Sequence, residues 1–218
     1  MIPFTLEQFL GVFERYNFAV WPAQLFLYAI AILAICLALP RKADFSRGIS
    51  LILSMFWIWM GLVYHLWFFS TINRAALFFA LFFVVQGALF FIAGACKQQL
   101  EFRFRLNLLR ILGGAFLLYA LVVYPALGYW LGHRYPAAPT FGLPCPTTIF
   151  TFGMLLWTDR RVPLYLLAIP LAWSFVGFWA AVSLGMIEDY GLLAAGLIGS
   201  LVILVRDSPA GIPTLTYP

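Results

Sequence analysis

The sequence predicts an all-α membrane protein with seven transmembrane helices, the fifth of them short, and an amphipathic helix at the N-terminus. Of the 218 residues, 64% are hydrophobic and only 10% are charged, whereas a soluble domain has roughly 25% charged residues. Apolar runs of about 20 residues recur along the chain, and each can cross a hydrocarbon core about 30 Å thick. We therefore expect residues 1–218 to form a single membrane domain, with the lipid bilayer as the partner of its spans.

Residues 1–18 are predicted to form a helix that lies in the membrane interface. Thr5 followed by Gln8 fits a capping box, and Phe4 with Phe9 fits the hydrophobic staple that often accompanies it. Phe9 and Phe13 recur at helical spacing, which would turn them together toward lipid or protein.

Seven apolar runs follow this helix. The predicted spans are 19–39, 48–69, 74–95, 109–131, 146–157, 162–184 and 190–205. The fifth run has only 12 residues, a length more typical of a re-entrant or buried segment than of a full crossing.

The distribution of basic residues predicts that the fifth run nevertheless crosses. If it does, ten basic residues lie on one side and three on the other, and if it does not, the division falls to seven against six. Because cytoplasmic loops are rich in Lys and Arg, we expect the N-terminus outside and the C-terminal tail, residues 206–218, in the cytoplasm. The membrane is predicted to be the inner membrane of the cell. The ten are Arg41, Lys42, Arg47, Lys97, Arg103, Arg105, Arg110, Arg160, Arg161 and Arg206; the three are Arg15, Arg74 and Arg134.

The segment GLPCPTTIF holds the main candidate site. Counting about 12 residues at about 1.5 Å each from the inner end of the fifth span places Cys145 about 18 Å from the inner interface, short of the outer surface, which predicts a crevice open to the outside. Pro146 suits the first position of a helix, so Cys145 is expected to be its N-cap, where free backbone N–H groups favour a thiolate. Pro144 would stiffen the approach, while Thr147 and Thr148 add hydroxyl groups.

Two interpretations of this cysteine stay open. A soft metal ion or another thiol-reactive solute is a suitable ligand for it. Alternatively, the cysteine is a small buried hydrophobic residue where a loop ends and a half-length helix begins.

His65 and three acidic residues complete the candidate site. His65 lies near the outer end of the second span, where it would be a second metal ligand, a pH-sensitive gate, or an interfacial histidine bonded to water or a carbonyl group. Glu14, Glu188 and Asp189 fall on the outer side and are predicted to form an acidic rim that attracts cations, unless they are simply solvated.

Several classes of protein are disfavoured. The spans have no charged residue near their middle, so the coupling carboxylates of ion-driven pumps are missing. The seventh span has no lysine for a retinal Schiff base, and two histidines without HExxH or GxSxG motifs give little support to an enzyme. The basic residues lie between apolar runs, which argues against nucleic acid as a partner, and no cofactor is required. Gly113 and Gly114 are expected to permit close helix packing.

Three segments together resemble an uncharacterised bacterial family of polytopic integral membrane proteins of about this length. They are PFTLEQFLGVFERYNFAVWPAQ, YHLWFFSTINRAALFFALFFVVQGALFF and FGLPCPTTIFTFG, and the PCPTT motif is the most specific part. The resemblance implies a bacterial inner-membrane protein and supplies no activity.

The sequence thus predicts a membrane protein that binds or passively passes a small solute or a soft metal ion through an outward-facing crevice at the PCPTT segment. One alternative is a structural or accessory protein without transport. Another is a thiol-dependent enzyme with Cys145 as nucleophile and His65 as base, which requires the two side chains to be within hydrogen-bond reach. The pattern does not specify an oligomeric state.

Overall fold

The computed structural model of the chain describes residues 2–40 and 44–208, so Arg41, Lys42 and residues 209–218 of the predicted tail lie outside the described part. Within it the chain forms eight helices and no β-strand. They are α1 (Leu6–Val20), α2 (Ala23–Ala38), α3 (Ser46–Thr71), α4 (Ala76–Cys96), α5 (Leu108–Trp130), α6 (Pro144–Leu156), α7 (Tyr165–Leu184) and α8 (Ile187–Asp207).

The lengths and apolarity of these helices are those of a membrane protein. Five of the described helices, α3, α4, α5, α7 and α8, are each long and apolar enough to cross a bilayer. The α1 and α2 helices meet at an 86° bend and reach that length only as a pair, while α6 is apolar but has 13 residues. Each of the seven predicted runs therefore contains a helix. By length and apolarity alone, however, five of the described helices qualify as spans, or six if the bent pair is counted as one span.

The predicted start of α1 is confirmed. The Gln8 backbone N–H donates to Thr5 Oγ1 at 3.2 Å, and the Thr5 N–H donates to Gln8 Oε1 at 2.9 Å. The rings of Phe4 and Phe9 stack with centroids 5.6 Å apart. Phe9 and Phe13 are buried, so this face of α1 packs on the protein.

The short helix α6 lies at the centre of the fold. Every residue of α6 except Cys145 is buried, and the surrounding helices include α5, α7 and α8. A helix that is covered by protein does not have to match the thickness of the hydrocarbon core, because its end groups can pair with neighbouring chain segments. This burial explains how a helix of 13 residues is accommodated here.

Basic residues meet at one end of the helices, which we call the basic end. Arg105 and Arg110 both form ion pairs with Asp159, which follows α6. Arg206, in the last turn of α8, donates a hydrogen bond to the Thr158 carbonyl group at 3.0 Å. The far end of α6 therefore lies beside the C-terminal end of α8.

Gly113 lies where α5 and α6 come closest. A Cβ atom at Gly113 would be 2.8 Å from the Gly153 carbonyl oxygen and 2.7 Å from the Trp157 ring, both of which are too close. At the neighbouring Gly114, the nearest atom would be 3.8 Å away, an ordinary contact. Close packing thus depends on Gly113 and not on Gly114.

We expect Gly113→Ala to lower the free energy of unfolding by about 1 to 2 kcal/mol, because α5 and α6 must separate to admit the methyl group. Gly114→Ala is the matched control and should leave that free energy unchanged or slightly higher, since alanine favours a helix. Thermal unfolding of both variants in detergent micelles measures the difference. Equal unfolding midpoints would contradict this packing.

Candidate functional site

A cavity of about 170 Å³ lies beside the PCPTT segment. Pro144, Cys145 and Pro146 form one wall, and Asp189 lies at its inner end. Aromatic side chains from the segment before α1 and from α1, α3, α4, α5 and α7 supply much of the remaining surface. They are Phe4, Phe9, Phe13, Tyr64, Phe69, Phe79, Tyr124, Trp173 and Trp179.

The cavity reaches the protein surface between the N-terminal segment and α7. Among its lining residues, Pro3, Val176 and Trp179 are exposed. Val176 and Trp179 belong to the same exposed apolar side of α7 as Phe175 and Val182. The opening is therefore bordered by apolar side chains.

The loop that leads into α6 is fixed by a buried asparagine. Asn17 of α1 is fully buried, and its Nδ2 donates to the carbonyl groups of Pro136 and Ala138 at 2.7 and 2.8 Å. The Thr140 hydroxyl donates to Asn17 Oδ1 at 2.8 Å. Because buried backbone carbonyls are costly to leave unpaired, these bonds hold the loop over the cavity.

The helix α6 begins two residues earlier than its proline pattern predicts. Leu143 is the N-cap and Pro144 is the first helical residue, so Cys145 lies in the first turn and is not the N-cap. The Thr147 hydroxyl accepts a hydrogen bond from the Gly142 N–H at 3.2 Å and closes the turn before the helix. Both prolines lie at positions of the first turn where a missing N–H leaves no bond unmade.

The inner end of the cavity is polar. The Tyr124 hydroxyl donates to Asp189 Oδ1 at 2.5 Å. Cys145, Asp189 and Trp173 all line the cavity, and the Trp173 indole N–H is buried without a hydrogen-bond partner among the described residues. Cys145 itself is partly buried, so a molecule in the cavity would meet a thiol, a carboxyl group and an indole together.

Glu188 and Asp189 are not at a solvated rim. Their relative exposures are 0% and 3%. Glu188 Oε1 pairs with His133 Nδ1, while its Oε2 has no hydrogen-bond partner among the described residues. Glu14 is exposed and lines a separate shallow groove on another face of α1. The expected acidic rim is therefore replaced by two buried acids at the start of α8.

His65 lies in an aromatic cage and not beside the cysteine. Rings of Tyr64, Phe69, Phe79, Phe83 and Trp173 surround it, with centroid distances of 4.5 to 5.9 Å. Both of its ring nitrogens are buried without a partner among the described residues. Trp173 contacts the His65 ring and also lines the cavity, whereas His65 itself is not a lining residue.

The two threonines of the PCPTT segment are buried behind the cavity wall. Thr147 closes the turn as described, and its carbonyl group accepts a bond from the Thr151 hydroxyl at 2.8 Å. The Thr148 hydroxyl has no partner among the described residues. Neither threonine lines the cavity, whereas Pro144 and Pro146 do.

Sequence reasoning missed two residues that form the site, Tyr124 and Trp173. It named Asp189 but did not predict that this residue is buried. Tyrosine and tryptophan near span ends are typical of interfacial belts, and that pattern conceals the inward-facing ones. The one signal in the sequence was the pair Glu188 and Asp189 next to the seventh apolar run. A carboxyl group beside a span is costly unless it is solvated or paired, so this pair indicated either an exposed end or a buried polar contact.

Comparison with known proteins identifies a family without an assigned activity. Residues 6–213 match the model of a family of unknown function (DUF6064). No curated protein and no solved structure matches the chain. The match includes every described helix and the residues that line the cavity, apart from Ile2, Pro3 and Phe4.

Proposed function

The chain belongs to this family of unknown function, and we propose that it binds, and passively passes, a small solute through the cavity at the PCPTT segment. The observation that carries the proposal is the cavity itself, about 170 Å³ with apolar walls and a polar inner end. Ligand sites are typically apolar cavities with a few convergent polar groups. Cys145, Asp189 and Tyr124 would be those groups.

We further propose seven crossings in a bacterial inner membrane, with the N-terminus outside and the basic end in the cytoplasm. Two observations support a crossing by α6. At one end, Cys145 lines the same cavity as Asp189, at the start of α8, and at the other, Thr158 bonds to Arg206 in the last turn of α8. Because α8 is long enough to span, α6 with its flanking residues runs through the same depth. The clustering of arginines at one end supports the orientation.

The solute would enter from the outer side, near lipid. The cavity opening is bordered by Val176 and Trp179 on the exposed apolar side of α7, so a solute that partitions into the bilayer interface reaches it without crossing a polar vestibule. No span carries a charged residue near its middle, which supports passive passage over ion-driven transport.

A small organic solute suits this site better than a soft metal ion. Cys145 and Asp189 supply two donor groups, and soft metals are typically held by three or four. Among the described residues, no group of three His, Cys, Asp or Glu side chains could hold a metal ion. His65, the predicted second ligand, does not line the cavity.

The two rival functions receive less support. A thiol-dependent enzyme needs an imidazole within hydrogen-bond reach of Cys145, but neither ring nitrogen of His65 has a hydrogen-bond partner among the described residues, Cys145 included. A purely structural role leaves the open cavity beside Cys145, with Asp189 in its lining, without a purpose. The open cavity therefore favours binding.

Protection of Cys145 from a thiol reagent tests the proposal. In a variant with Cys36→Ser and Cys96→Ser, Cys145 is the remaining cysteine of the three. We expect benzyl alcohol, which is small and largely apolar, to slow modification of Cys145 by methyl methanethiosulfonate severalfold. Mass spectrometry of the protein in lipid nanodiscs measures the rate.

Two controls define the outcome. A variant that keeps only the exposed Cys36 should react at the same rate with and without benzyl alcohol. Ala180→Phe, which fills the cavity from α7, should abolish the protection. Protection by cadmium but by no organic probe would establish the metal interpretation instead, and no protection by either would favour the structural rival.

A further inference from the structure

The inner end of the cavity carries an excess of buried acidic groups. Glu188 and Asp189 are adjacent in the chain and both buried. Among the described residues, Glu188 pairs with His133 alone and Asp189 forms no ion pair. Besides His133, the neighbouring titratable groups on the other packed elements are Tyr119 and Tyr124 of α5 and Cys145 of α6.

These neighbours do not supply a positive charge. The Tyr124 hydroxyl donates to Asp189 Oδ1, and the Tyr119 hydroxyl donates to the Glu188 carbonyl group at 2.8 Å. Neutral donors stabilise carboxylates less than a cation does. Glu188 does not line the cavity itself, but its Oε2 is buried next to Asp189 without a partner among the described residues.

The walls of the cavity suit a cation as well. Tyr64, Phe69, Phe79 and Trp173 present their rings around the space that Asp189 borders. Aromatic faces attract an ammonium group through the negative potential of the ring, and they do so most strongly where water is excluded. An aromatic cavity that ends in a carboxyl group is the arrangement expected for an organic cation with an apolar body.

The size of the cavity limits the body of that cation. Its volume of about 170 Å³ is close to the roughly 150 Å³ of an apolar cavity that accepts benzene. A molecule with one aromatic ring and a short polar arm would fill it, with the arm toward Asp189.

We propose that the ligand of this cavity is a small organic ammonium ion, anchored by the Asp189 carboxyl group and held by the aromatic walls, with Glu188 adding negative potential behind it. This assignment rests on the proposed function, since it names the class of solute that the cavity takes.

A series of three probes of similar shape tests the charge. Benzylamine is a cation at neutral pH, as alkyl amines are, benzyl alcohol is its neutral counterpart, and benzoate is an anion. In the Cys145 protection experiment, we expect benzylamine to act at about tenfold lower concentration than benzyl alcohol, and benzoate to be the weakest of the three.

Substitution of single acidic residues distinguishes binding of the ammonium group by Asp189 from general electrostatic attraction to the protein. Asp189→Asn should remove most of the preference for benzylamine and leave protection by benzyl alcohol in place. Glu7→Gln is the control, because Glu7 is an exposed acid at the same end of the molecule, and it should retain the full preference. If Asp189→Asn does not fold, the test rests on the protein that retains Asp189 and has Cys145 as its remaining cysteine. The concentrations at which the three probes protect Cys145 in that protein still show whether a cation is preferred.

Two results would overturn the inference in distinguishable ways. If benzyl alcohol protects Cys145 at the same or lower concentration than benzylamine, the cation is the wrong ligand class while solute binding stands. If none of the three probes protects Cys145, the cavity does not bind a small organic solute and the proposed function fails with the inference.

Discussion

Replacing Arg110 by methionine is expected to lower the free energy of unfolding by about 3 kcal/mol, because removal of one partner from a buried ion pair leaves charged and polar groups without compensation. The Arg110 side chain is only 7% exposed and donates from Nη1 to the carbonyl groups of Leu156 and Thr158, at 2.6 and 2.8 Å. Its Nη2 binds Asp159. These bonds join the start of α5 to the end of α6.

Arg105 is the natural control for this variant. It pairs with the same carboxylate, Asp159, at 2.9 Å, but its side chain is 62% exposed. Arg105→Met should therefore change the free energy of unfolding by less than about 1 kcal/mol, as is usual for exposed ion pairs. Unfolding of both variants by sodium dodecyl sulfate in mixed micelles gives the comparison. Equal losses would mean that net charge at the basic end, and not the buried bonds, stabilises the helices.

Arg110 also shows where sequence reasoning stops. Its place among ten basic residues of one side follows from counting along the chain, and the structure brings Arg105, Arg110 and Arg206 together at one end. Counting does not reveal that Arg110 turns inward while Arg105 stays in solvent. That difference depends on the end of α6, more than 40 residues away in the sequence.

Local features were predictable in detail. The capping box at Thr5 involves four consecutive residues, and its hydrogen bonds match the pattern. The helix bounds from α3 to α8 differ from the apolar runs by at most three residues; α7 begins at 165 against 162, and α8 at 187 against 190. Hydrophobicity and turn chemistry determine such boundaries, and both are written in short stretches of sequence.

The site was predictable only in part, because it is assembled from distant segments. The prolines around Cys145 identify the right wall of the cavity from a local anomaly. Sequence position alone predicts that Asp189 lies at an outer acidic rim. Its burial results from packing between α5, α6 and α7, which no single segment encodes. The same limit hides the aromatic cage around His65.

Gly142→Ala is expected to have the second large effect, a loss of about 2 to 4 kcal/mol that combines backbone strain with overpacking. Gly142 has a φ of +98°, in the left-handed region where an L-residue is strained. A Cβ atom there would also overlap the side chain of Leu27, which is buried in the core. Because Gly142 closes the turn onto Thr147, the strain acts directly on the start of α6.

Gly132→Ala isolates the two causes. Gly132 has a similar φ of +96°, but no atom lies within 4 Å of the position its Cβ would take. This variant should lose only about 1 to 2 kcal/mol, the cost of the left-handed backbone, and the difference between the two variants measures the overlap with Leu27. Thermal unfolding in nanodiscs provides both values, and equal losses would show that the turn relaxes away from Leu27.

The Gly142 substitution also links the fold to binding. Leu143, Pro144 and Cys145 follow directly in the chain and line the cavity, so a displaced turn should open that wall. We expect Cys145 in Gly142→Ala to react faster with the thiol reagent and to be less protected by benzylamine, while Gly132→Ala retains normal protection. Unchanged reactivity of Cys145 in a destabilised Gly142→Ala protein would mean that α6 holds the cavity wall without the help of the turn.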